Sequence, residues 1–167
     1  TFFPVSGAGS FFTFLFFGSN LAVKGSNLNI GGGATGGIGA TGTNVFNFYK
    51  NSTPSYAQTG IGATFNGLPI PIYFNPQDLV YSFPLNYNDV DTCNSVYSFS
   101  LSSNFYFQGR RTRVNNVDGW GSITTPYGTR NNVLRVKTTV IERDSVHLDT
   151  TIFGFPVNQG FSLPPTT

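Results

Sequence analysis

The stretch YSFSLSSNFYFQGRRTRVN, residues 97–115, alternates apolar and small polar side chains. Single serines separate Tyr97, Phe99 and Leu101. A period of two places alternate side chains on opposite faces of a β-strand. The pattern therefore predicts a strand with one buried aromatic face and one hydrated face, followed by a second strand that ends in a group of arginines.

The composition extends this prediction to the whole chain. Of 167 residues, 16% are aromatic and 10% are charged, and so much apolar surface favours a folded core over disorder. The 20 Gly and 10 Pro disfavour long helices. Short strands separated by turn signals at intervals of about 8 to 12 residues are typical of β-sandwiches and β-barrels. We expect a single all-β domain over residues 1–167, an antiparallel β-sandwich of jelly-roll or immunoglobulin-like type with little or no helix.

Charge and cysteine content exclude several classes of protein. The net charge of +2 is too small to indicate a nucleic-acid partner. Cys93 is the only cysteine, so no intrachain disulfide is expected, and nothing places the single histidine, His147, beside it as a catalytic base. The apolar run FFTFLFF, residues 11–17, is too short to cross a bilayer and is predicted to be a strand, so no membrane span is expected.

Residues 117–146 predict a β-hairpin that contains the only tryptophan. Asp118-Gly119 and Pro126-Tyr127-Gly128 are turn signals, and a long strand follows from Val133 to Glu142. Exposed Trp120 and Tyr127 side chains would stack on sugar rings as ligand-stacking residues. A buried Trp120 would instead cap the core, and its size favours burial.

The run DVDT … RTRVNNVDGWGSITTPYGTRNNVLRVKTTVIERDSVHLDT resembles proteins exported by the type IX secretion system of Bacteroidota. The resemblance covers roughly residues 45–155 and is strongest over 117–150. In such proteins a β-rich region precedes a C-terminal sorting domain that is removed at the cell surface. No sorting domain is visible, so this chain would be the passenger part. The resemblance implies an extracellular or cell-surface location and supplies no reaction.

The same resemblance implies two modification candidates. Bacteria of this group O-glycosylate exported proteins at Asp-Ser or Asp-Thr followed by a small aliphatic residue or Thr. Ser145 in Asp-Ser-Val and Thr150 in Asp-Thr-Thr fit this pattern. The alternative for both is a plain strand with a turn at its end.

One polar turn contains a candidate set of calcium ligands. Its hard oxygen donors, the kind that Ca²⁺ prefers, are Asn86, Asn88, Asp89 and Asp91. The small number of carboxylates favours a solvated Asx-rich turn instead, and no other metal or cofactor is expected. The acidic residues of the chain form no recognisable catalytic motif, so we expect no enzyme and assign no catalytic residue.

Residues 1–44 form a Gly- and Phe-rich segment with two alternative interpretations. It supplies a core strand of its own domain, or it exchanges with a neighbouring molecule and completes that molecule's sheet by strand addition. The assembly candidates are Phe11, Phe12, Phe14, Leu15, Phe16 and Phe17.

The sequence thus predicts a secreted or cell-surface β-domain with a structural or adhesive role, for example the subunit of a fibre or coat assembled by strand addition. Its expected partners are copies of itself or other surface proteins. The alternative is a carbohydrate-binding module of an extracellular polysaccharide-degrading protein, with glycans as ligands.

Overall fold

The computed structural model describes residues 1–31, 39–152, 155–162 and 165–166. Strands account for 74% of the structure and helices for 7%, which confirms the prediction of a nearly all-β chain with little helix. The strands form an antiparallel sheet that curls into a half-barrel. The two facing sheets of a sandwich or jelly roll are not confirmed.

The described residues form ten strands, which follow one another across the sheet almost in chain order. The strands are β1 (Phe2–Pro4), β2 (Leu21–Lys24), β3 (Leu28–Gly31), β4 (Gly39–Asn51), β5 (Ser55–Phe65), β6 (Leu68–Ser82), β7 (Val90–Ser102), β8 (Phe105–Thr125), β9 (Gly128–Ile152) and β10 (Phe155–Ser162). A 3₁₀ turn, Val5–Ala8, and a short helix, α1 (Ser10–Leu15), lie between β1 and β2. The order across the sheet is β1-β2-β4-β5-β6-β7-β8-β9-β10, and β3 pairs with β4.

Tight hairpins connect the central strands. Asn66 and Gly67 join β5 to β6 with φ angles of 49° and 81°, the left-handed conformation that a two-residue hairpin requires and that Asn-Gly adopts readily. Pro126 and Tyr127 join β8 to β9, where Thr125 pairs with Gly128, as the signal Pro126-Tyr127-Gly128 predicted. Because these connections are short, each strand is held beside its successor in the chain. The turn predicted at Asp118-Gly119 is wrong, because both residues lie within β8, where the register with β9 shifts.

The inner face of the curled sheet carries the larger apolar core. Tyr97 and Phe99 are buried there, whereas Ser98 and Ser100 are exposed, which confirms the alternation predicted for this strand. Strands from β3 to β9 contribute to this core, and its buried members are Ile30, Val45, Ile61, Ala63, Phe65, Ile72, Phe74, Tyr97, Phe99, Phe105, Phe107, Val146 and Leu148.

The strand predicted for residues 11–17 is wrong, because residues 10–15 form α1 on the outer face of the sheet. Phe12 and Phe16 are four residues apart, so they lie on one side of the helical turn, and both are buried. The ring of Phe16 stacks on that of Phe48 with 4.0 Å between centroids. Glycines in β5 make this docking fit, because a Cβ at Gly60 would lie 2.7 Å from the Phe16 ring.

Candidate binding surface

Polar side chains that are 12–14% exposed continue the inner face of β8 beyond its aromatic residues. Every second residue of a strand lies on the same face, so Phe105, Phe107 and Gly109 share this face with Arg111 and Arg113. Gly109 is required here, since a Cβ would lie 2.2 Å from the ring of Tyr97. The two arginines therefore point into the half-barrel.

Asp78 of β6 accepts hydrogen bonds from both arginines and is itself fully buried. Arg113 donates from Nε to Asp78 Oδ1 at 2.9 Å and from Nη2 to Oδ2 at 2.7 Å. Arg111 Nη1 donates to the same Oδ2 at 2.9 Å. A single carboxylate thus accepts three charge-assisted hydrogen bonds, the kind that make a buried ion pair tolerable.

Further side chains satisfy the remaining donors of Arg111. The guanidinium group donates to the carboxylate of Glu142, which lies directly opposite on β9, and to Gln58 Oε1 at 2.8 Å. Gln58 in turn donates to Asn47 Oδ1 at 3.0 Å. The network links β4, β5, β6, β8 and β9 across the interior.

The carboxyl groups of this interior have pKa values shifted in opposite directions. Burial raises the pKa of Asp78, but the hydrogen bonds from Arg113 and Arg111 outweigh it, so the pKa lies below its usual value. Burial, helped by the nearby Glu142 charge, raises the pKa of Asp144. Asp144 accepts a long hydrogen bond, 3.3 Å, from the hydroxyl of Tyr97.

The sequence did not predict this network, although one signal for it is present. Arg111 and Arg113 were assigned only to the end of a strand, yet they share parity with Phe105 and Phe107, whose face is buried. Their partner Asp78 lies more than thirty residues away in the chain, as the separations of 33 and 35 residues show. No local spacing rule connects residues so far apart.

A two-stranded ribbon extends beyond the rest of the sheet. We define the ribbon as residues 117–125 of β8 and 128–136 of β9. The pairing of β7 with β8 ends at Val90 and Asn116, and β10 pairs with β9 only from Ser145 onward. Among the described residues, the ribbon therefore has no neighbouring strand on either edge. Its first residue, Val117, still bonds to the preceding turn, because its N–H donates to the Asp89 carbonyl and its carbonyl accepts from the Asn88 N–H, both at 2.9 Å.

The prediction that Trp120 is a core residue is wrong, because its side chain is 72% exposed on the ribbon. Trp120 pairs with Leu134, and both line a groove of about 480 Å³ that also includes Ile123. Trp120 is exposed because the flanking strands are shorter than β8 and β9. As a result, nothing in the described structure covers this part of β8. Tyr127 is 96% exposed at the tip of the ribbon and does not line the groove.

The candidate calcium ligands form a turn that is closed by its own hydrogen bonds. The backbone N–H of Asn86 donates to Asp89 Oδ2 at 2.6 Å, and the N–H of Asp89 donates to the Asn86 carbonyl at 3.1 Å. Asn88 has a left-handed φ of 72°, and Asp91 lies on β7 opposite Asn115. These contacts close a polar turn of Asn and Asp residues, and calcium binding by it stays a prediction. In the part of the chain that the structure describes, no group of three His, Cys, Asp or Glu side chains is placed to hold a metal ion.

The two glycosylation candidates lie on β9. Ser145 is half-buried, pairs with Gln108 on one side and Ser162 on the other, and donates to the Gln108 carbonyl at 3.4 Å. The backbone of Thr150 pairs with Val157, whereas its side chain lies outside the described residues. Glycosylation of both stays a prediction.

The N-terminal assembly candidates divide into a docked and an exposed set. Phe12 and Phe16 are buried and Leu15 is half-buried beneath α1, whereas Phe11, Phe14 and Phe17 are exposed. The segment is therefore a docked helix rather than an extended strand that projects toward a neighbour. Its exchange with another molecule stays a prediction.

The described helices include none long and apolar enough to span a membrane. Comparison with known proteins finds no matching family model, no matching curated protein and no matching solved structure.

Proposed function

We propose that this chain is a secreted or cell-surface structural or adhesive β-domain that associates with copies of itself through the ribbon. The observation that carries the proposal is the extension of β8 and β9 beyond their neighbours with apolar side chains exposed. The extracellular location rests on the resemblance of residues 117–150 to proteins exported by the type IX system.

Strand addition is the mode of contact that suits the ribbon. An uncovered strand edge presents a row of backbone N–H and C=O groups that pair readily with another chain. The ribbon offers two such edges. Strand addition would pair the ribbon edge of one copy with that of another, and α1 would stay docked on its own sheet.

The side chains of the ribbon favour this contact. Trp120 and Ile123 are 72% and 50% exposed, and Leu134 lies beside them. Burying them against a second molecule would contribute roughly 25 cal/mol for each Å² of apolar surface removed from water. The ribbon contains three charged residues, of which Arg135 and Asp118 form a salt bridge, so Arg130 is the main source of charge repulsion between copies.

A non-enzymatic role agrees with the state of the interior carboxylates. Asp78 and Glu142 are engaged by arginines, and Asp144 faces Tyr97. A general acid or nucleophile requires a carboxyl group free to meet substrate. We assign the interior network to stability rather than to catalysis.

Sedimentation velocity over a range of protein concentrations tests the assembly. The wild-type chain is expected to form larger species as concentration rises, and Ile123→Lys is expected to reduce this growth by placing a charge in the contact. Tyr127→Lys is the matched control, because it adds the same charge at the tip and outside the groove. A monomer at every concentration, or equal effects of both substitutions, would overturn the proposal.

Carbohydrate binding is the second candidate, and the exposure of Trp120 favours it. An exposed indole beside a groove provides a flat apolar surface for a sugar ring. Glycan-array binding that is lost in Trp120→Ala and kept in Tyr127→Ala would support this candidate. Binding that survives Trp120→Ala would exclude the groove as the sugar site.

A further inference from the structure

We propose that the outer face of β8, β9 and β10 contains a binding site for a tetrahedral oxyanion, the sulfate or phosphate group of an acidic ligand. We call this surface the basic groove and define it by Arg110, Arg143, Ser145, His147 and Ser162. Its volume is about 580 Å³. It lies on the opposite face of the sheet from the buried ionic network.

The register of the strands places two arginines directly opposite each other. Arg110 of β8 pairs with Arg143 of β9, and both side chains are exposed. Like charges at directly opposite positions of an antiparallel pair destabilise a sheet. The four salt bridges of the described residues include neither arginine. The pair therefore concentrates positive charge on this face. The repulsion between the two arginines lowers the stability of the sheet, and a bound anion would offset that loss.

The next row of the sheet adds hydroxyl groups beside the arginines. Gln108, Ser145 and Ser162 lie side by side on β8, β9 and β10. Arg110 Nη2 donates to Gln108 Oε1 at 3.4 Å, a long contact that leaves the other guanidinium N–H groups of Arg110 for a ligand. The Ser145 hydroxyl donates to the Gln108 carbonyl, so the exposed Ser162 is the hydroxyl donor that this row offers to an anion beside the guanidinium groups.

The third row positions an imidazole at the end of the groove. His147 lies opposite Tyr106, with 6.2 Å between ring centroids, and opposite Gly160 of β10. A Cβ at Gly160 would come within 3.1 Å of the His147 ring, so the glycine leaves room for the ring to lie over β10. The imidazole thereby borders the same groove as Ser145 and Ser162.

Two acidic residues of β9 lie next to this groove: Asp144 is one of its lining residues, and Asp149 occupies the outer-face row after His147. Glu142 and Asp144 occupy alternate positions on the inner face, where they meet Arg111 and Tyr97. Asp149 shares the outer face but lies six residues from Arg143, roughly 20 Å at about 3.3 Å per residue. The arginine pair thus has an outer-face environment of serine, glutamine, tyrosine and histidine.

This set of donors favours a tetrahedral oxyanion. Arg110 and Arg143 are opposite each other on adjacent strands and offer guanidinium N–H groups on the same face of the sheet, and bidentate recognition suits an anion with several oxygens. The surface is open, so the group can belong to a free ion or to a polymer such as a sulfated or phosphorylated glycan. Both sources share the same chemistry.

Nuclear magnetic resonance titration with sodium sulfate, against sodium chloride at matched ionic strength, tests the site. We expect saturable shifts of the backbone amides around Arg110 and Ser145. Arg110→Gln and Arg143→Gln are each expected to weaken sulfate binding by about tenfold, because each removes a charge-assisted fork. The sulfate affinity of Arg110→Lys is expected to lie between those of the wild type and Arg110→Gln, because lysine keeps the charge but lacks the planar guanidinium group.

Arg130→Gln is the matched control, because it removes the same charge from an exposed position near the ribbon tip. It should change sulfate binding by less than about twofold, as expected for a distant screened charge. Absence of saturation, or equal losses in Arg130→Gln and Arg110→Gln, would overturn the site. Thermal unfolding without sulfate should show each variant folded, because these side chains are exposed.

A second arm identifies the source of the anion. Dextran sulfate is compared with unsulfated dextran and with inorganic sulfate. Tighter binding of dextran sulfate, lost in Arg143→Gln, supports the site and indicates a polymer-borne oxyanion through multivalent contact. Sulfate binding without a gain from the polymer supports the site for a free ion. Equal binding of dextran and dextran sulfate would contradict the proposed chemistry.

Discussion

Asp78 is the residue on which the interior of the half-barrel depends. Its carboxylate is fully buried and accepts hydrogen bonds from Arg111 and Arg113. Removing one partner of such a group leaves the other charges buried without compensation. The residue therefore stabilises the chain only as long as it stays ionised.

We expect Asp78→Asn to lower the free energy of unfolding at pH 7 by about 3 to 5 kcal/mol. The pKa of Asp78 is lowered in the folded chain, so its contribution is complete above the ordinary carboxyl value and is lost as pH falls through the folded value. Urea unfolding of the wild type should therefore show stability decreasing below about pH 4, and less so in the variant. Asp149→Asn, at an exposed position, is the control and should change stability by less than about 0.5 kcal/mol.

Ionisation of Asp144 is expected to have the opposite effect on stability from ionisation of Asp78. Burial and the Glu142 charge raise its pKa, so ionisation costs stability as pH rises from the ordinary value through the folded one. Asp144→Asn should be as stable as the wild type or more stable at pH 7, with the difference vanishing at low pH. Asparagine keeps an oxygen that accepts from Tyr97. Urea unfolding at pH 7 and at low pH measures the difference in stability between the variant and the wild type. A clear loss of stability in the variant at pH 7 would show that the carboxylate is needed.

At the scale of elements, α1 depends on two of its phenylalanines. Phe16 is buried and stacks on Phe48, whereas Phe17 is 90% exposed one residue further along. We expect Phe16→Ala to cost about 3 to 5 kcal/mol in equilibrium urea unfolding. Phe17→Ala should cost less than about 0.5 kcal/mol. Similar losses for the two variants would contradict the docked position of the helix.

Strands with a clear period of two could be predicted from the sequence, and the helix could not. Tyr97 and Phe99 alternate with serines, and their burial follows directly from that pattern. The run FFTFLFF has no clear period, because short apolar runs suit either a strand or a helix. What decides its conformation is tertiary: Gly60 leaves space on the sheet for Phe16.

The candidate sites were harder to predict, because they depend on contacts between residues that are even further apart in the chain. Arg111 is directed to the interior by its parity with Phe107, a signal that the sequence contains, but the identity of its partner Asp78 requires the folding of the whole sheet. The exposure of Trp120 depends on where β7 ends relative to β8 and β9, whose lengths are 21 and 25 residues. Size alone wrongly favoured burial of this side chain.

At the scale of the whole molecule, the half-barrel combines a stable centre with an uncovered extension. The ionic network joins strands across the interior, and α1 covers part of the outer face. The ribbon lies beyond both, with apolar side chains and two free edges within the described structure. A stable centre with a reactive edge is the arrangement that assembly by strand addition requires.

Hydrogen exchange at low and high protein concentration tests this central claim most directly. Strand addition predicts that the outward-pointing backbone amides of residues 118–125 and 128–136 exchange more slowly at high concentration, because these edges become hydrogen-bonded to a second molecule. Amides of β5, which pairs with β4 on one side and β6 on the other, are the internal control and should not change. Assembly without added protection of the ribbon, or protection confined to α1, would contradict the account.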